Sequence, residues 1–206
     1  MRPVPGWAVI SAILAPIFLL GGLVLARARQ PASYNSTRDT ISAMAGLGAP
    51  DRWIMGLGLA GLGLCYIATG IGLRPAAVPG RVVMVFGGVV SLLSSFFPQP
   101  HQGTSEMHGI VAGAGFIALA VWPVFAFRTE RTAPWTLRLT ASLAATLVMI
   151  GLLFWFAAEL FSGGGRVGLT ERLLAGVESV WPVVVVLGAR QIRPALQGAV
   201  SETAVD

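Results

Sequence analysis

Both histidines of the chain, His101 and His108, lie seven residues apart with Glu106 between them. They sit in residues 97–123, FPQPHQGTSEMHGIVAGAGFIALAVWP, where a short polar hinge joins two apolar stretches. An imidazole exchanges a proton near neutral pH, and a carboxylate can hold it in the orientation that acid–base chemistry needs. His108 is therefore a candidate acid/base, with Asp39 and Glu171 as candidate orienting groups. The histidine spacing matches no zinc pattern, and two histidines on one short segment cannot flank a haem, so no metal or cofactor is expected. Ser36, Ser42, Ser94, Ser95, Thr104 and Ser105 are possible neighbours of His108, but no G-x-S-x-G elbow is present to mark a nucleophile.

The remaining ionisable groups fall at the edges of apolar segments. Arg38 and Asp39 belong to Ser36-Thr37-Arg38-Asp39, an S-x-x-D capping box. Asp51 and Arg52 stand just before Trp53, where Asp51 is placed to cap a helix. Glu106 sits where a helix dipole favours negative charge. Glu159 ends one apolar run, Arg166 follows a triple glycine, and Glu171 and Arg172 open the last run. Glu178 lies seven residues beyond Glu171 on nearly the same helix face, about 10 Å deeper at a rise of about 1.5 Å per residue. A carboxyl at that depth should face the interior and pair with a base or bind a proton.

Composition determines which elements carry these groups. The chain has 206 residues, 55% hydrophobic and 11% charged, with a mean hydropathy of +0.76. Soluble domains carry about 25% charged residues, so most of this chain does not face water. Runs of about 20 apolar residues cross a bilayer core. The expected fold is all-α, a six-transmembrane-helix bundle over 1–190 with spans near 7–26, 53–73, 82–97, 104–127, 139–161 and 171–189. The stretch before Arg27 is too long for a signal-peptide apolar region and reads as a retained helix. A short interfacial helix over 37–47 is expected between the first two spans, with Thr104 capping the fourth, and residues 191–206 read as a polar tail.

All 14 basic residues are arginine, the net charge is +5 and the pI is about 11.0. The arginines are scattered singly, which suits membrane lipids as partners and argues against nucleic acid. Cys65 is the one cysteine, so no intrachain disulfide exists. GLGLAG, beginning at Gly56, fits G-x-G-x-x-G but lies inside an apolar span, where glycines serve close helix packing. Gly109 and Gly113 read the same way, as a G-x-x-x-G packing face.

Six crossings put both termini on one side. With the termini inside, eight arginines lie inside and six outside, which favours a cell-membrane protein with cytoplasmic termini. The first, third and fifth connections then share one face. That face collects a mouth of mixed acid, base and imidazole, the best site candidate in the chain. Its candidate ligand-binding residues are Arg38, Ser42, Asp51, Arg52, Glu106, Glu159, Arg172 and, deeper, Glu178.

The hinge, together with RDTISAMAGLGAPDRWIM and GLTERLLAGVESVWP, resembles the family called domain of unknown function 998 (DUF998). The resemblance covers almost the whole chain in order. It implies a six-helix bacterial membrane protein with no assigned reaction. It also carries Arg38, Asp39, Ser42, Asp51, Arg52, Pro98, Gly103, His108, Glu171 and Arg172 as family positions. Many members have an acid soon after the Phe-Pro pair, where this chain has Gln99 and Pro100. The leading expectation is a bundle that binds a lipid or small amphipath at its polar mouth, with arginines holding the anionic part. The alternatives are a membrane-embedded lipid hydrolase or transferase using His108, and a small proton-coupled transporter using Glu178.

Overall fold

A computed structural model describes residues 3–100 and 105–190. His101, Gly103, Thr104 and the 191–206 tail lie outside the described residues. The described chain is all helix, with no strand. The helices are α1 (Gly6–Arg27), α2 (Ile41–Ala45), α3 (Trp53–Gly72), α4 (Val78–Ser94), α5 (Glu106–Ala126), α6 (Leu139–Ser162) and α7 (Val167–Arg190), with a 3-10 turn at Trp135–Leu137. Five of them, α1, α3, α5, α6 and α7, are long and apolar enough to cross a membrane, and α4 is a shorter apolar helix of 17 residues. Their outward faces carry Ile10, Leu57, Phe86, Leu147 and Phe154, all exposed. With so few charges, such faces suit lipid and not water, so the chain is a helical, multi-pass membrane protein.

Small residues bring α1, α3 and α4 together. The Cα atoms of Gly22 and Gly58 lie against each other across α1 and α3, and a Cβ on Gly58 would come within 3.0 Å of the Phe18 carbonyl. On the other side of α3, a Cβ at Gly63 would stand 2.6 Å from the Leu92 nitrogen, and one at Gly88 would stand 2.7 Å from the Gly63 carbonyl. Backbones this close exchange dispersion contacts along their length, the usual glue where lipid removes the hydrophobic drive. Ser11 and Thr69 add a hydroxyl–hydroxyl bond of 2.9 Å between α1 and α3. The packing reading of GLGLAG therefore applies to Gly58 and Gly61, the latter lying under the Phe18 ring, whereas Gly56 touches nothing.

Gly109 and Gly113 depart from the expected packing face. A Cβ at either would meet nothing within 4 Å, because no described helix packs directly against that side of α5. α6 is the least buried of the five long helices and touches its neighbours less closely than α1, α3 and α4 touch one another. Phe116 and Phe156 meet edge to face at 5.4 Å and join α5 to α6. Elsewhere along the same seam a groove stays open.

Several helix starts differ from expectation. α4 begins at Val78 and not after Arg81, because Pro79 fits the first turn, where its missing N–H costs nothing. Arg81 then reaches back to the carbonyls of Gly70 and Ile71 at the end of α3, where a cation suits the helix dipole. α2 is a single turn, shorter than 37–47. Thr40 caps it by accepting from the Ala43 N–H at 3.0 Å, so the Ser36–Asp39 capping box does not form. α5 is capped by Ser105, whose hydroxyl accepts from the His108 N–H. Arg52 occupies the cap position of α3. Asp51 makes no cap bond there; it adopts a left-handed backbone at φ 46° and pairs with Arg29 at 3.6 Å.

Candidate functional site

Three connections meet at one end of the bundle. The Leu47 N–H donates to the Gln99 carbonyl at 2.7 Å, which ties the α1–α3 connection to the α4–α5 connection. The Leu169 and Gly168 N–H groups, in the first turn of α7, donate to the carbonyls of Thr37 and Arg38 at 2.9 and 3.2 Å. Helix N-termini leave such donors without intrahelical partners, and here a loop more than a hundred residues away supplies the acceptors. Gly168 is required for that approach, because a Cβ there would run into the Asp39 carbonyl.

Glu171 and Arg172 complete the latch. The Glu171 carboxylate accepts from the Ile41 N–H at 2.5 Å and from the Ser42 hydroxyl at 3.2 Å, at the N-terminus of α2. The Arg172 guanidinium donates to the carbonyls of Ser36, Asp39 and Gly168 at 2.7–2.8 Å and to the Tyr34 hydroxyl. A planar fork with five donors suits this convergence of acceptors. Burial pushes the Tyr34 phenol up, and the adjacent Arg172 opposes that shift.

Asp39 holds the loop from within. Its carboxylate accepts from the Arg38 side chain at 2.8 and 3.1 Å and from the Asn35 N–H at 2.7 Å. Arg38, above all, holds the carboxyl below the usual carboxylate range, the Asn35 bond adds to this, and partial burial opposes it. A depressed native pKa stabilises the fold above the unfolded-state value, and that contribution is lost as pH falls through the native value. Limited proteolysis within 28–40 is therefore expected to quicken only as pH falls below the ordinary carboxylate range, and the acid-induced change should vanish in Asp39→Asn.

Glu159 serves the neighbouring turn. It accepts from the Arg166 N–H at 3.0 Å and from the Arg166 side chain at 3.1 Å, and Gly164 leaves room for its carboxylate. Arg166 also lies over the Trp155 ring at 5.9 Å. Arg52 is exposed at the start of α3. Among the described residues, no three of His, Cys, Asp or Glu gather as metal ligands.

The open seam between α5 and α6 is a groove of about 730 Å³. Gly109, Gly113, Ile117, Ile150 and Phe154 are among the residues that make its long apolar wall, and His108, Glu106, Glu171, Ser42, Thr40 and Gln99 gather at its polar end. His108 is buried, and its Nδ1 lies 2.7 Å from the Phe97 carbonyl. A carbonyl only accepts, so Nδ1 carries a proton and Nε2 is the ring nitrogen left for the groove. His108, Ser42, Glu106 and Glu171 thus share the groove. Arg38, Asp39, Asp51, Arg52, Glu159 and Arg172 do not line it.

A smaller recess of about 60 Å³ shares Ser42, Ala112, Phe116 and Glu171 with the groove and runs inward to Glu178. That volume is large enough for water, which needs roughly 10–15 Å³ of such space per molecule. Glu178 is 1% exposed, and its Oε1 has no hydrogen-bond partner among the described residues. The groove, the recess and the lack of an arginine among the described residues along either could not be read from sequence. Gly109 and Gly113 were the available signal, since small residues create space as readily as they create contact.

A polytopic helical bundle with a lateral groove, apolar along its walls and polar at one end, is the class that fold and site define. The chain belongs to the family described as protein of unknown function (DUF998), which it matches over residues 12–188. No curated protein and no solved structure matches it.

Proposed function

We propose that this protein binds a membrane-derived amphipath in the groove between α5 and α6, tail along the glycine-lined wall and head at Glu171, Ser42 and His108. The observation that carries this reading is the groove itself, about 730 Å³ of mostly apolar wall with its polar groups gathered at one end. Along α5 the lining runs from His108 to Ile117, about 14 Å at a rise of about 1.5 Å per residue. An alkyl chain replaces lipid contacts there, and ligand sites of this size are commonly apolar with a few fixed polar groups.

The reading also takes α4 as a sixth crossing. Its 17 residues span about 26 Å at about 1.5 Å per residue, close to the hydrocarbon thickness of about 30 Å. Six crossings place both termini together, on the cytoplasmic side by the arginine count. α2 and the polar end of the groove then lie at the opposite interface.

Native mass spectrometry of the full chain purified in neutral detergent tests the proposal. A co-isolated or titratable lipid adduct is the expected result. A bare monomer that takes up no added amphipath would refute it. So would a lipid-free dimer, which would give the groove to a second copy of this chain.

A further inference from the structure

We infer that the amphipath carries a cationic amine head and not an anionic one. This rests on the groove reading above and names its ligand class. The polar end presents the Glu106 and Glu171 carboxylates beside the His108 ring, the Ser42 and Thr40 hydroxyls and the Gln99 amide, while no arginine is among the described residues that line it. The one hydroxyl proton of Ser42 is already given to Glu171.

The arginines nearest the mouth are engaged elsewhere. Arg172 is spent on the carbonyls of Ser36, Asp39 and Gly168, and Arg38 on Asp39. An anionic head entering here would face the Glu106 and Glu171 carboxylates, and Arg172, the cation beside Glu171, already gives its guanidinium to carbonyls, so like charges would repel. An ammonium would instead add charge-assisted hydrogen bonds to the two carboxylates, which can only accept.

The inner recess supplies an independent observation. Glu178 is almost wholly buried, and its Oε1 lacks a hydrogen-bond partner among the described residues. A buried polar group left unpaired points to something the protein chain does not itself provide. The recess joins the groove at Glu171 and Ser42, so an ammonium at Glu171, or water ordered by it, supplies donors on the path toward Glu178. The same α7 face thus repeats its carboxyl one heptad deeper.

Dodecylamine, dodecanol and dodecanoate, offered at equal concentration to the full chain in neutral detergent and read by native mass spectrometry, share a tail and differ in head. Dodecylamine is expected to bind about tenfold more tightly than dodecanoate, the effect of roughly one charge-assisted bond. Glu106→Gln, at an exposed position whose side chain bonds none of the described residues, should narrow that preference several-fold. Glu171→Gln should narrow it further, with thermal unfolding followed because this carboxylate also holds α2. Equal binding of all three, or preference for dodecanoate, overturns the amine assignment and leaves the groove reading standing. Binding of none overturns both.

Discussion

Gly113→Leu is expected to abolish amphipath binding while the bundle folds as before. A Cβ at Gly113 meets nothing within 4 Å, so the added side chain projects into the groove and not into a neighbouring helix. Each methylene of the ligand it displaces forfeits about 0.8 kcal/mol. Three or four such groups amount to roughly 3 kcal/mol, a loss of more than about a hundredfold in affinity. Replacing a helical glycine also removes backbone freedom from the unfolded chain, which favours the fold by up to about 1 kcal/mol. Adduct occupancy by native mass spectrometry and a thermal melt on the same sample separate the two effects. A variant that melts no lower yet retains wild-type occupancy would show that the ligand lies elsewhere. Gly109→Ala, one turn nearer the polar end, should give a smaller loss of the same kind.

Arg172→Gln carries the largest expected cost to stability. Three carbonyls and the Tyr34 hydroxyl converge on this one guanidinium, and the glutamine amide can replace at most two of those bonds. Hydrogen bonds to a charged group contribute about 1.5–3 kcal/mol each, so a net loss of about 3 kcal/mol or more is expected. The 28–40 segment should become protease-sensitive before the helices melt, because it is joined to α7 chiefly through this latch. Amine binding should weaken with it, since Ser42 and Thr40 reach the groove only while α2 is held by Glu171. Arg172→Lys should recover part of the stability, a point charge being a poor substitute for the planar fork. Arg38→Gln is the contrast. That side chain is exposed and pairs with its own neighbour Asp39, so its loss should be small beside that of Arg172. Equal effects from the two arginines would dissolve the distinction between latch and surface pair.

The helices were legible because their signal is local and redundant. Around twenty apolar residues in a row can do little else, and α1, α3, α5 and α6 begin and end within about two residues of the boundaries that hydropathy alone suggests. Caps were less legible. Asp39 and Asp51 have the residue types of helix caps, yet Asp39 turns back to Asn35 and Asp51 pairs with Arg29. The start of α7 was hidden for a clearer reason. Its first-turn donors are satisfied by Thr37 and Arg38, and nothing near Val167 in the sequence announces acceptors so far away.

Glycine separates the two kinds of information most sharply. Gly58 and Gly63 in α3 and Gly109 and Gly113 in α5 are indistinguishable as small residues in apolar helices. The first pair lies against backbone and the second against open space. Residue types alone establish that this chain is a membrane bundle with most of its ionisable groups in the connections or the end turns of the helices, because the transfer cost of each side chain belongs to that residue alone. Only the tertiary structure decided which acids share a groove, which arginines are consumed by carbonyls, and where two helices stand apart. Those outcomes depend on the partner each surface meets, and a residue's type does not name its partner.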